Sequence, residues 1–306
     1  MTTIMTKLIP ENIFVRLIAA ILAVIVLVPP SGVSAAATDG KPLSAEVKPG
    51  LSAVGNYLAG RHAQARHDMR AAVTYLNAAL IAMPDAPDLR RRTFILLVIE
   101  GRIAEALPLA QELLAENPKA PIANLTLAVE ALRKGDHKAL IKLFADGSDR
   151  GLNSFTRPLL EAWSYAGEDK KATAFEALGK LDGNKATQGL HDVHKALIHD
   201  YLNDPAAEAI YDKLSKDDLA GSFRIVQHMG RYFERHGKPD KARAIYDKLR
   251  DDLPGSILLD VADARLKAGE KPKKLLRSSK DGAAEALFSI ANSLRRQRAR
   301  ETALVL

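Results

Sequence analysis

The chain of 306 residues contains no cysteine. That excludes disulfide staples, cysteine-ligated zinc or iron–sulfur centres, cysteine nucleophiles and a lipid-attachment cysteine. Aromatic residues make up only 5%, too few for the aromatic and β-branched cores of sandwiches and barrels. No stretch beyond the N-terminus approaches the about twenty apolar residues that a membrane-spanning helix needs. Also missing are a P-loop, an H-E-x-x-H helix, a G-x-S-x-G elbow and a calcium loop. What remains is rich in Ala and Leu, 47% hydrophobic and 26% charged. Such a composition favours a folded, helical protein.

The N-terminus reads as an address. Lys7 and Arg16 precede an apolar run of twelve residues from Leu17 to Val28, which Pro29 and Pro30 end. Small residues follow, from Val33 to Ala37. A basic start, a short apolar core and an A-x-A-like site describe a secretory signal peptide over 1–35, cut after Ala35 or Ala37. The alternatives are a signal retained as an anchor and a buried helix. Residues 36–50 carry Gly40, Pro42, Pro49 and Gly50 and read as a flexible leader. Export to a periplasm or outside the cell follows, which argues against a nucleic-acid partner.

Charge is concentrated at the other end. Residues 267–306 hold ten Lys and Arg against Glu270, Asp281, Glu285 and Glu301, a net of +6 out of +7 for the whole chain. An anionic polymer or membrane surface is one partner this region suits, through Lys271, Lys273, Lys274, Arg277, Arg295, Arg296, Arg298 and Arg300. Plain solvated charge is the simpler reading.

Three pairs of residues recur at an offset of 34: Pro84 and Pro118, Ala72 and Ala106, Gly101 and Gly135. That period, with small residues, a turn glycine and a late proline, resembles the tetratricopeptide repeat family. The best copy, 223–256, matches the family pattern at Gly230, Phe233, Gly237, Ala242, Tyr246 and Pro254. The copy at 53–86 matches at Gly60, Ala72, Ala79 and Pro84, with His67 at the turn-glycine place. The copy at 87–120 matches at Gly101, Ala106 and Pro118, with Phe94 at a place normally small. Those at 121–154, 153–186 and near 188 match more loosely, through Ala128, Gly135 and Phe144, then Trp163, Gly167 and Ala172, then Ile198, Ala207 and Tyr211. Asp204-Pro205 fits an N-cap followed by Pro at the first helical position.

The resemblance implies an all-α fold: an α-solenoid, a right-handed superhelix of helix–turn–helix units over 51–268. Small residues allow two helices to approach closely, and each pair buries its apolar face only against its neighbours. Pro108 interrupts the second helix of its copy and should kink it. Residues 269–282 read as a basic linker. Residues 283–306 read as an incomplete terminal repeat, as if a longer array had been cut short.

Catalytic candidates are few. His191, His194 and His199 form the one histidine cluster, and no acidic third ligand is set by spacing, so no metal and no cofactor is expected. Asp217-Asp218 and Asp251-Asp252 are adjacent pairs that face different ways, unlike a hydrolase dyad. Asp146-Gly147-Ser148-Asp149 reads as a plain turn.

A non-enzymatic, protein-binding scaffold of the cell envelope is therefore the expected function, supporting assembly, secretion or polymer export. In the family the first helix of each pair lines a groove. Carried over to this sequence, the groove residues are Tyr57, Arg61, Gln64, Arg91, Arg157, Arg224, Gln227, Arg231 and Glu234. Ile122, Leu125, Val129 and Leu132 lie either in its apolar middle or in the core. Such a groove suits a protein segment with an apolar centre and acidic ends. Two other readings compete: the anionic-polymer binder, and an accessory domain of a cell-wall glycan enzyme. Salt separates the first two, because polymer binding falls steeply with ionic strength. Turnover of purified wall glycan decides the third.

Overall fold

The computed structural model describes residues 47–216, 223–252 and 254–306. The signal-peptide reading, most of the leader and the Asp217-Asp218 pair lie outside them. No strand occurs among the described residues. Helices come in antiparallel pairs: α1 (Ala53–Ala65) with α2 (Met69–Ala82), α3 (Pro87–Ile99) with α4 (Ile103–Glu116), α5 (Pro121–Lys134) with α6 (His137–Asp146). Next come α7 (Asn153–Gly167) with α8 (Lys171–Gly179), α9 (Gln188–Tyr201) with α10 (Ala207–Leu214), and α11 (Phe223–Arg235) with α12 (Pro239–Asp252). Three helices close the chain: α13 (Ile257–Ala268), α14 (Ser279–Arg296) and the single turn α15 (Arg300–Ala303). Consecutive helices pack on one another, which makes this a helical-repeat, α-solenoid-like architecture.

Local chemistry sets the helix ends. Ser52, Asp68 and Asp136 cap α1, α2 and α6 by accepting from backbone N–H groups three residues on, at 2.9–3.1 Å. Pro87 and Pro121 occupy the first position of α3 and α5, where a missing N–H costs nothing. Between the two helices of a pair one residue takes a left-handed φ. It is Gly101, Gly135 or Gly237 at 70°, 81° and 70°, but His67, Asp169 or Asn203 at 60°, 58° and 56°. His67 thus performs the turn without glycine's freedom.

Three details differ from the sequence reading. In the α7–α8 turn the left-handed residue is Asp169 rather than Gly167, and the buried small residue is Ala174, while Ala172 is exposed. The unit is shifted by two because α7 runs to Gly167, where close packing (below) requires a residue without a side chain. Asp204 accepts the expected capping bond from the Ala206 N–H at 2.9 Å, but Pro205 and Ala206 form a turn and the regular helix α10 starts only at Ala207. Pro108 sits inside α4, which still continues from Ile103 to Glu116.

Pairs close on small residues. A methyl on Gly60 would lie 2.6 Å from Leu76, and one on Gly230 would overlap the Tyr246 ring. Ala72, Ala79, Ala106 and Ala242 are wholly buried in the matching places. Two apolar clusters result. One runs from Ala63 through Phe94 to Ala123, the other from Leu125 through Trp163, Tyr211 and Tyr246 to Ile290. They meet on α5.

The C-terminal helix breaks the sequential order. Residues 269–278 are non-helical, and α14 starts at Ser279, inside the stretch read as linker. It packs chiefly on α7 and α9. Glu285 also reaches α11.

Candidate binding surface

The groove residues fall into two groups. On the N-terminal units, Arg61 is exposed; its Nη1 donates to the Tyr57 hydroxyl at 3.0 Å and its guanidinium stands 5.9 Å from that ring's centroid. Gln64 accepts from Arg92 Nη1 at 3.2 Å. Arg91 pairs with Asp88 at 2.7 Å, both well exposed. Gln64 and Arg91 share a cleft of about 280 Å³ with Met69, Ile95 and Leu304. This part of the surface is basic, with apolar side chains beneath.

The middle is mostly core. Leu125 and Leu132 are buried, Ile122 and Val129 half-buried. Val129 still lines an apolar cleft of about 500 Å³ with Val98, Leu107, Leu125 and Leu287, beneath Leu304 to Leu306. Glu130 and Arg133 edge it, joined by two hydrogen bonds of 2.6 and 2.8 Å.

The C-terminal group is engaged inside the protein. Arg157 binds Asp149 and donates at 2.8 Å to Glu161, a buried carboxylate that also accepts from Lys180 at 3.1 Å. Glu234 is buried and accepts from Tyr246 Oη at 2.7 Å and from Arg265 at 2.6 and 2.7 Å. Arg231 Nη1 lies 3.5 Å from the Lys273 carbonyl, and burial pushes its pKa down. Gln227 is half-buried on the same helix. Arg224 grips Glu285 of α14, its Nε 2.9 and 3.0 Å from the two carboxylate oxygens, and stands 5.1 Å from the Phe288 ring.

That last pair belongs to a polar cluster that sequence reasoning missed, buried except for the Arg224 side chain, which is about half exposed. Its members are Trp163 of α7, His194 of α9, Arg224 and His228 of α11, and Glu285 of α14. Gly282 sits against the Trp163 ring and Ser279 against Gly167, so closely that a methyl on either glycine would collide. Trp163 Nε1 donates to His194 Nδ1 at 3.1 Å. This fixes the neutral ring's proton on Nε2, which is buried with no acceptor. His228 Nε2 is also buried without a hydrogen-bond partner, 3.6 Å from Glu285. Burial pushes Glu285 upward, but His228 and Arg224 outweigh it and hold the carboxyl at about 2. Burial drives His194 down to about 4, against the pull of Glu285. One signal for this helix stood in the sequence: Ser278 and Asp281 form a capping box, each side chain bonded to the other's backbone N–H.

The other candidates disperse. His191 contacts Asp192 at 2.9 Å and His199 contacts Asp204 at 2.8 Å, while His194 serves Trp163, so the three rings take separate partners. Lys274 is drawn inward, to Asn203 Oδ1 at 2.7 Å and the Tyr201 carbonyl at 3.3 Å. Lys271, Lys273, Arg277, Arg295, Arg296 and Arg298 remain exposed. Among the described residues no helix is long and apolar enough to cross a membrane. No protein-family model matches the chain, and no curated protein matches it either.

Proposed function

We propose that this protein is an exported tetratricopeptide-type scaffold, without catalytic activity of its own, that binds a protein segment on the first helices of its N-terminal units. One observation carries the reading. Gln64 of α1 and Arg91 of α3 line a cleft with Ile95 and Met69, and Tyr57 and Arg61 lie on the same helix as Gln64, whereas the equivalent residues of α11 are engaged by α14 and α13. An extended or helical segment with an apolar centre and acidic ends complements the open part: the centre enters the cleft and the ends meet Arg61 and Arg91. The seven first helices begin at Ala53, Pro87, Pro121, Asn153, Gln188, Phe223 and Ile257, spacings that support the tetratricopeptide assignment.

The test is affinity capture from envelope extracts with the wild type, with Arg61→Ala/Arg91→Ala, and with Arg295→Ala/Arg296→Ala. A partner lost only in the first double variant supports the reading. A partner lost only in the second, with steep salt dependence, overturns it and moves binding to the basic C-terminal region. N-terminal sequencing of the exported protein should begin at Ala36 or Thr38.

A further inference from the structure

Helix α13 carries an apolar stripe that no second helix covers. It packs on α12 and buries Leu259 and Ala262, with Leu266 half-buried on the same face. Helical periodicity puts Ile257, Val261, Ala264 and Ala268 together on the opposite face. All four are exposed, Ile257 at 76% and Val261 at 54%. The start of α13 has the spacing of a first helix, yet the second helix of its unit is replaced by irregular chain. Gly269 ends α13 at a left-handed φ of 67°, residues 270–278 are non-helical, and Lys274 is held by Asn203 and the Tyr201 carbonyl at the end of α9. The next helix, α14, packs chiefly on α7 and α9.

The stripe is complementary to its own reverse. Two large residues come first and two small ones follow, at mirrored spacings of four, three and four. Turned end over end about a two-fold axis beside Ala262 and Asp263, it sets Ile257 against Ala268 of a second copy and Val261 against Ala264. Each large side chain then meets a small one, which lets the two helices approach closely. In such an antiparallel pair, like flanks of the two helices face each other. One flank of the stripe carries Asp260 and Lys267, two turns or about 10.5 Å apart. Both are exposed and form no ion pair among the described residues. The two-fold brings Asp260 of each copy within reach of Lys267 of the other. The neighbouring charges are already engaged: Asp263 by Arg250 at 2.7 Å, and Arg265 by Glu234 at 2.6 and 2.7 Å.

We infer that α13 is a self-association surface, through which two copies of this chain pair antiparallel with Ile257 and Val261 over the partner copy's Ala268 and Ala264 and with two Asp260–Lys267 pairs at the rim. A second copy is the occupant because the stripe's own reverse satisfies both its sizes and its free charges. Four side chains, two of them alanines, cover only part of the about 800 Å² per partner that a stable interface buries. The dimer is therefore weak and forms as concentration rises. It would hold two arrays in one particle, so that a partner with two copies of the recognised segment gains avidity. The pairing itself does not depend on what Arg61 and Arg91 bind.

Sedimentation equilibrium of the exported protein at low salt, from about 1 to 300 µM, tests this. The wild type should pass from monomer to dimer across that range. Val261→Asp places a charge at the centre of an exposed stripe and should weaken the dimer about tenfold or more, with unchanged far-UV circular dichroism. Ala264→Asp gives the same reading if Val261→Asp does not fold. Asp260→Lys alone, or Lys267→Asp alone, sets like charges opposite each other twice and should weaken the dimer about fivefold or more. An equimolar mixture of those two variants should restore it as a heterodimer, because both rim pairs are again of opposite sign. A wild type that stays monomeric throughout, a dimer that Val261→Asp leaves intact, or a mixture no tighter than its two components would each overturn the inference. Arg61→Ala/Arg91→Ala should leave the dimer unchanged, so failure here leaves the N-terminal surface standing, and loss of that surface leaves this pairing standing.

Discussion

Gly230→Ala sets two effects of opposite sign against each other. An alanine inside a helix is favoured over glycine by about 1 kcal/mol, so on propensity alone α11 gains. The geometry opposes this. The new methyl falls among the Cζ, Oη and Cε1 atoms of Tyr246. That ring cannot swing aside freely, because its hydroxyl donates to buried Glu234 at 2.7 Å and Arg265 holds the same carboxylate. Overpacking a filled core costs about 1–3 kcal/mol, and losing a buried hydrogen bond to a charged group costs about 1.5–3 kcal/mol more. The net expectation is destabilisation by about 2–4 kcal/mol. Urea unfolding followed by far-UV circular dichroism measures it, with Gly189→Ala as the control. Gly189 lies in the first turn of α9 with nothing near its missing side chain, and alanine there should be neutral or stabilising by up to about 1 kcal/mol. If Gly230→Ala is as stable as the wild type, close packing does not explain glycine at this place.

Acid should weaken the C-terminal half in two stages. His194 is held at about 4 against 6.5 for the free side chain. The unfolded state therefore binds the extra proton across that interval, and about 3 kcal/mol of stability is lost as pH falls from 6.5 to 4. Glu285, held at about 2 against 4.5, adds a second loss as pH falls from 4.5 toward 2. A urea midpoint that stays flat from pH 7.5 to 4, or a fall that persists in His194→Gln, would refute the assignment. Trp163→Phe removes the donor to His194 Nδ1 and should cost about 1–3 kcal/mol, read by the same unfolding curve. Pro108→Ala replaces an exposed proline inside α4 and should stabilise the N-terminal units by about 1–3 kcal/mol; a lower midpoint would show that α4 needs the proline.

The helix pairs were legible because their determinants are local. A small residue, a turn residue and a helix-starting proline act within one unit, so a fixed offset exposes them. The misplaced turn at Gly167 shows the limit. Gly167 looks like a turn glycine, yet it lacks a side chain because Ser279, more than a hundred residues later, lies against it. The position of α14 was not legible for the same reason. Its small residues have the spacing of a repeat helix, and nothing near Glu285 in the sequence names Arg224 or His228. Of the groove residues, Arg61 and Arg91 are exposed and contact only nearby residues of their own helices, while Arg224, also exposed, and Arg231 and Glu234 contact segments that follow them in the chain.

An array in which each unit touches only its neighbours melts like a zipper, from either end. The contacts of α14 change that for half of the molecule. Gly282 against Trp163, Glu285 on Arg224 and Lys274 on Asn203 bridge 119, 61 and 71 positions of sequence, closing a ring through α7, α9 and α11. Pulled from its ends, the protein should yield α1 to α4 in small steps and then resist until the ring opens in one large one.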